Sequence, residues 1–131
     1  MQPTLMPWLG WFALMDYVDE FVIFDNAQFS YQSWHHRNSI KTTSGPLLIT
    51  IPVSRKGGPF SLKEIRLADT HKVKKKLLAS ISQSYSKAPY FSTYFRGFEA
   101  ILDKGLQSNS LFELNYQIIN WGREMLGITT S

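Results

Sequence analysis

The densest group of chemically active side chains lies between Asp25 and Lys41. This segment holds a carboxylate, several amides, two imidazoles, a guanidinium, an ammonium and three aromatic rings. A connecting loop rarely needs that mixture, whereas binding and catalytic residues are concentrated on loops that a rigid scaffold positions. We therefore expect this segment to form the working surface of the protein.

Arg37 and Lys41 are suited to holding an anionic group. A guanidinium offers a planar fork to phosphate or carboxylate, and residues four apart on a strand point to the same face. The pair predicts a diphosphate-binding position, the alternative being two surface charges of a hairpin. Asp25 could act beside them as a base, a cation ligand or an orienting partner for Arg37, or it could simply cap a turn.

His35 and His36 are adjacent, so on an extended strand their rings would point in opposite directions. That makes them a poor metal pair, and His71 adds no suitable spacing, so no metal site is predicted. Either could act as a general base, or be an ordinary exposed or hydrogen-bonded histidine. The sequence also lacks the glycine-rich, P-loop, nucleophile-elbow and zinc-protease motifs, and no cofactor is predicted.

The composition is that of one intracellular domain. The 131 residues carry a net charge of +4, no cysteine and no apolar run long enough to cross a bilayer. These features favour a cytoplasmic protein without a disulfide framework or transmembrane segment. Residues 55–76 contain eight basic and two acidic residues. This stretch could attract phosphates or anionic lipid, or be a solvated helix face, but its lysine run lacks the aromatics typical of nucleic-acid binding.

Hydrophobic periodicity predicts the elements that position these residues. Apolar residues three and four apart predict a helix over residues 7–17, and a compact apolar run predicts a buried strand over 20–25. Residues 38–42 and 47–53 flank a turn and predict a β-hairpin, and 62–67 alternate as a half-exposed strand. Three further helices are expected at about 70–86, 91–104 and 111–126. The chain is therefore predicted to be α/β or α+β, with a mixed sheet packed by four helices.

Short motifs run along the whole chain. They are Gln2–Thr4 with Pro7–Phe12, Phe21–Gln28, Ser33–Trp34 followed by Arg37–Lys41, Leu48–Pro52, Ala88–Phe91, Leu111–Asn115 and Leu126–Ile128. In this order and with these gaps they resemble the motifs of the WbqC-like family of bacterial surface-polysaccharide proteins. His36 stands where that family commonly has asparagine.

The resemblance implies one WbqC-like domain over residues 1–131, without the family's first strand and C-terminal part. It also implies a transferase-like step in O-antigen or lipopolysaccharide biosynthesis, such as acyl or aminoacyl transfer to a nucleotide-linked amino sugar. The motif positions carried over as site residues are Gln2, Trp8, Asp25, Gln28, Arg37, Asn38 and Lys41.

Two functions remain open at this point. In the first, an enzyme holds a nucleotide sugar: Arg37 and Lys41 bind the diphosphate, Trp8 or Trp34 stacks on a ring, and Asp25, His35 or His36 moves a proton. In the second, the chain is a non-catalytic binding or scaffold module for glycan assembly that uses the basic residues 55–76. The oligomeric state is left open.

Overall fold

A β-hairpin and four α-helices make up most of the computed structural model, which describes residues 1–54 and 60–131. This confirms the predicted α/β class, the hairpin and the helices. The elements are α1 (Leu9–Tyr17), β1 (Arg37–Thr42), β2 (Gly45–Thr50), α2 (Thr70–Tyr85), α3 (Phe91–Gln107) and α4 (Leu111–Met125), with a 3₁₀ turn at Leu62–Glu64.

The hairpin is antiparallel, with a register that runs from the pair Arg37 and Thr50 to the pair Thr42 and Gly45. Gly45 has a φ of +114°, a conformation that disfavours residues with a side chain. The Thr42 hydroxyl donates to the Gly45 carbonyl over 2.7 Å and closes the turn. Among the described residues, the sheet consists of these two strands.

The strand predicted over residues 20–25 was wrong. Phe21 donates a backbone hydrogen bond to Ser131, and Phe24 donates one to Met1, but no ladder forms. Val22 and Phe24 are 63% and 51% exposed, so only alternate side chains of this segment meet the core. The apolar run over residues 20–25 predicted a strand buried on both faces, but one face of this segment is exposed to solvent.

The strand predicted over residues 62–67 was also wrong. Leu62–Glu64 form a 3₁₀ turn, which Ser61 and Glu64 close with a capping box. The Glu64 carboxylate accepts from the Ser61 amide over 2.8 Å, and this local bond competes with strand pairing. Residues 66 and 67 contribute only isolated bridges, to Ser110 and Val53.

Two clusters of buried side chains form the core. The larger one joins the hairpin, the 3₁₀ turn and helices α2 to α4, and includes the fully buried Leu5, Ile51, Leu62, Leu102, Leu111 and Leu114. The smaller one seats α1 against α4, and comprises Trp11, Phe12, Met15, Ile119 and Ile128. Helix α4 contributes to both clusters, so it sets the position of α1 relative to the hairpin.

Part of the predicted basic stretch, residues 55–59, lies outside the described residues. Within the part of the chain that is described, none of the helices is long and apolar enough to cross a membrane.

Replacement of Gly105 by valine should destabilise the fold. A Cβ atom at this position would lie 2.7 Å from Leu114 Cδ1 and 3.0 Å from the Leu114 Cα, so α3 and α4 would have to move apart. Overpacking of this kind costs about 1–3 kcal/mol of unfolding free energy, measurable by urea denaturation. Lys104→Val, on the exposed neighbouring residue, introduces the same side chain and should cost less than about 0.5 kcal/mol. Equal losses would contradict the packing argument.

Candidate functional site

Two exposed tryptophans border a concavity between the N-terminal segment and the start of the hairpin. Trp8 is 76% exposed and Trp34 is 60% exposed. Large aromatic side chains usually gain by burial, so two exposed indoles beside one cavity indicate a binding surface. We call this concavity the indole cavity. Its volume is ≈ 300 Å³, and its walls are Thr4, Leu5, Pro7, Trp8, Trp34 and Asn38.

The Asn38 side chain shapes the indole cavity. The Asn38 Nδ2 group donates to the carbonyls of Leu5 and Met6, over 2.8 and 2.6 Å. Its Oδ1 accepts from the Ser39 amide over 2.7 Å. All three bonds are made within the protein, so the Asn38 side chain positions the cavity wall, a more indirect role than the ligand contact predicted for it. They also hold Met6 in a left-handed conformation, with a φ of +47°.

Trp8 and Trp34 are placed by separate contacts. The Leu5 amide donates to the Trp34 carbonyl over 2.9 Å, which joins the N-terminal segment to the residues before β1. The Trp8 ring lies over Gly10, where any Cβ atom would overlap its six-membered ring. Gly10 therefore leaves the space that the Trp8 indole occupies.

His35, the residue after Trp34, takes part in a chain of side-chain hydrogen bonds. Its Nε2 is 2.9 Å from Gln2 Oε1, and its Nδ1 is 3.0 Å from Ser33 Oγ. Its backbone carbonyl accepts from Asn115 Nδ2 over 2.8 Å. His35 is itself buried, whereas Gln2 is exposed and Ser33 is partly exposed. Exchange of a proton between His35 and solvent would therefore pass through one of these two partners.

His36 is a core residue. Its Nδ1 donates to the Ile51 carbonyl over 3.0 Å, and its ring packs edge-on against Phe29 and Tyr31. Its Nε2 is buried and has no hydrogen-bond partner among the described residues. A base must reach the proton that it removes, and this nitrogen lies under the surface. The structure therefore favours a packing role for His36 over the predicted catalytic one.

The remaining predicted residues do not line the indole cavity. Arg37 donates to the Gln32 carbonyl, and its buried Nε has no partner in the described part of the chain. Lys41 is exposed. Asp25 is partly exposed and makes no hydrogen bond or ion pair with a described residue, and the exposed Gln28 forms an isolated bridge with Ser61. None of these four lines the indole cavity.

Asn115 was missed by the sequence analysis. It is completely buried on α4, among Leu111, Leu114 and Ile118. A detectable signal was its position on the apolar face of that helix, because a polar residue there must find an internal partner. No group of three or more histidine, cysteine, aspartate or glutamate side chains that could hold a metal ion is present in the described ranges.

Protonation of the two histidines should destabilise the protein in acid. Burial lowers the pKa of His35, and the neighbouring His36 lowers it further. Burial also lowers the pKa of His36, as does Arg37, while the bond to Ile51 opposes the shift. The unfolded chain therefore binds more protons below about pH 6.5. The unfolding free energy should be fully present above that pH and fall as the pH drops towards 5.

Urea denaturation at a series of pH values between 5 and 7.5 measures this effect. The double variant His35→Gln, His36→Asn should flatten the profile, because neither amide titrates in that range. A slope that persists in the folded double variant would assign the effect to other groups.

Comparison with known proteins gives the family of the chain. The model of the WbqC-like protein family matches residues 2–131. An uncharacterized protein of Mycobacterium tuberculosis (strain ATCC 25618 / H37Rv), Rv1507c, is 33% identical over 130 residues. The match covers 99% of this chain and 56% of the relative, so the chain spans about half the length of the curated relative that it matches. No solved structure matches it. The chain belongs to the WbqC-like protein family.

Proposed function

We propose that the chain binds the sugar ring of a nucleotide-linked amino sugar in the indole cavity and takes part in the assembly of a bacterial surface polysaccharide. Membership of the WbqC-like family supports the polysaccharide context. The observation that carries the proposal is the pair of exposed indoles, Trp8 and Trp34, at one cavity.

The size and lining of the indole cavity suit a monosaccharide. A volume of ≈ 300 Å³ is at the lower end of ligand pockets, so the cavity holds one ring and leaves the nucleotide outside. A sugar ring has an apolar face of C–H groups, which stacks on an indole, and a rim of hydroxyls. Thr4 supplies a hydroxyl in the wall for that rim.

Arg37 is proposed to bind the diphosphate outside the cavity. It directly precedes Asn38, which is in the wall, and follows the two histidines. Arg37 is partly exposed and its Nη2 donates to the Gln32 carbonyl, so its Nη1, which makes no hydrogen bond to a described residue, can meet an anion. Lys41, exposed further along β1, adds positive charge. Arg37 and Lys41 point to the opposite face of β1 from Asn38, so both roles require the ligand to pass around the edge of β1 from the cavity.

The proposed reaction is acyl or aminoacyl transfer to the amino group of the sugar. The amine forms an amide bond with the acyl carbon of an activated donor, and the bond between that carbon and the donor's leaving group breaks. The leaving group departs with the electron pair of that bond, and the amine gives its proton to a nearby base. His35 is the proposed base, acting through the Ser33 hydroxyl 3.0 Å from its Nδ1. For this step the hydroxyl turns its proton from the Ser30 carbonyl, 2.6 Å away, to that nitrogen. Asp25 stays the alternative base, since its carboxylate makes no ion pair with a described residue.

A non-catalytic binding module is the second candidate, supported by the basic face of α2. Exposed Lys72 and Lys76 form no ion pair with any described residue. Mass spectrometry of a nucleotide-linked amino sugar incubated with the protein and an acyl or aminoacyl donor separates the two. The transferase is favoured if the sugar gains the mass of the acyl group with the unaltered protein but not with the Ser33→Ala variant. The binding module is favoured if the sugar binds and its mass does not change.

Loss of the Trp8 indole should weaken binding of nucleotide sugars. Aromatic stacking contributes about 0.5–1.5 kcal/mol, so Trp8→Ala should raise the Kd roughly two- to tenfold by calorimetry. Gly10→Ala should have a similar effect, because the new methyl displaces the Trp8 ring. Tyr17→Ala, which removes an 89% exposed aromatic ring elsewhere on α1, is the matched control and should change nothing. Full affinity in both Trp8→Ala and Gly10→Ala would exclude stacking on Trp8.

Removal of the Arg37 guanidinium should weaken binding of the nucleotide part. A charge-assisted hydrogen bond contributes about 1.5 kcal/mol or more, so Arg37→Ala should lower the affinity for a nucleoside diphosphate more than tenfold. Arg96→Ala removes an exposed arginine from α3 and serves as the control. The diphosphate position is wrong if the two variants bind equally well.

A further inference from the structure

The outer edge of β2 is open. In an antiparallel pair, the backbone groups of alternate residues point towards the partner strand and away from it. The Ile51 amide donates to the His36 carbonyl over 2.8 Å, so in this register the backbone groups of Leu48 and Thr50 point away from β1. No hydrogen bond from either amide to a described residue is present. The outer edge of β1 differs, because the Ser39 amide is bound by Asn38 and the Lys41 amide by the Tyr85 hydroxyl, over 2.7 and 3.0 Å.

Residues 52–54, which follow β2, form a short antiparallel ladder with residues 66–68 on the side of the open edge. The Ser54 amide donates to Arg66, and the Ala68 amide donates to Pro52, over 2.9 and 3.0 Å. At Asp69 the backbone adopts a left-handed conformation, with a φ of +49°, and turns away into α2. The chain therefore leaves the ladder just before the open edge, and an incoming strand would continue the pairing that residues 66–68 start.

A groove lies between β2 and α2, where that strand would run. Its volume is ≈ 330 Å³, and its lining is mostly apolar. Its buried apolar residues are Ile49, Ile51, Val73 and Leu77. Residues 47–52 line it continuously, which at about 3.3 Å per residue gives a length of roughly 17–20 Å. The groove therefore offers one strand length with an apolar floor.

The rim of the groove is positively charged. Lys72 and Lys76 are one helical turn apart on α2, and both are exposed. Neither forms an ion pair with a described residue, whereas Lys74 lies 2.8 Å from Asp103. Asp69 is the acidic residue among those that line the groove. The two lysines therefore favour a partner with carboxylates.

We propose that the β2 edge and this groove bind an extended polypeptide segment in which apolar and acidic side chains alternate. The segment adds a strand to β2 through the backbone of Leu48 and Thr50, as in other cases of strand addition. Alternate side chains of a strand point to opposite faces. The apolar ones face α2 and lie over Val73 and Leu77. The acidic ones lie on the opposite face, where the long side chains of the exposed Lys72 and Lys76 reach them around the outer edge of the strand.

A second copy of the chain is a poorer occupant of this site. Two β2 edges paired with each other would bring the Lys72 and Lys76 pairs of both copies together, and like charges oppose that arrangement. An acidic partner removes this repulsion. The site is separate from the indole cavity, so its occupancy does not depend on the proposed sugar binding.

Two octapeptides test the proposal. In the first, valine and glutamate alternate, and in the second, lysine replaces glutamate. The acidic peptide should bind at least tenfold more tightly, measured by fluorescence anisotropy. It should also shift the amide resonances of Leu48 and Thr50 in the isotope-labelled protein. Leu48→Pro removes an edge N–H group at a place where proline is tolerated, and should abolish binding while circular dichroism stays unchanged.

Charge reversal provides a test that does not depend on loss of binding. The double variant Lys72→Glu, Lys76→Glu should prefer the basic peptide, and Lys75→Glu, on the same helix outside the groove, should keep the original preference. The peptide comparison would overturn the proposal if the acidic peptide bound with a Kd weaker than about 1 mM, or if the two peptides bound equally well. Full binding by the folded Leu48→Pro variant would also overturn it, as would a stable dimer paired through β2.

Discussion

The side chain of Asn115 donates a hydrogen bond to the backbone carbonyl of His35, over 2.8 Å and inside the core. A buried carbonyl without a partner costs about 1–3 kcal/mol, so this bond fixes the residues before β1 on α4. The Asn38 amide then ties Leu5 and Met6 to β1. Through these two amides, α4 holds the residues before β1, and β1 holds the N-terminal segment. The latter two segments form the wall of the indole cavity.

Local sequence patterns predicted much of the fold. The helix at Leu111–Met125 was evident from its apolar spacing and from Ser110, whose hydroxyl accepts from the Glu113 amide over 3.4 Å. The hairpin was evident from Gly45 between two β-rich runs. These features depend on neighbouring residues alone. Residues 20–25 were misread because whether an apolar run is buried on one face or two is decided by distant segments.

The candidate site was only partly predictable for the same reason. Trp8, Trp34 and Asn38 were named from motifs and meet at one cavity, but their meeting depends on long-range bonds that no spacing reveals. Arg37 and Lys41 share a strand face, yet neither lines that cavity, because Asn38 points to the opposite face from both. The alternation of side chains along β1 therefore places the charges of Arg37 and Lys41 on the face opposite the indole cavity.

The 80-residue separation between His35 and Asn115 has a consequence for synthesis of the protein. Chains emerge from the ribosome N-terminus first, so both indoles are outside the exit tunnel long before α4 is made. Until then Trp11, Phe12 and Met15 of α1 lack Ile119, the α4 residue in the same buried cluster of the folded protein. The buried cluster that joins α1 to α4 can therefore form only after most of the chain has been translated.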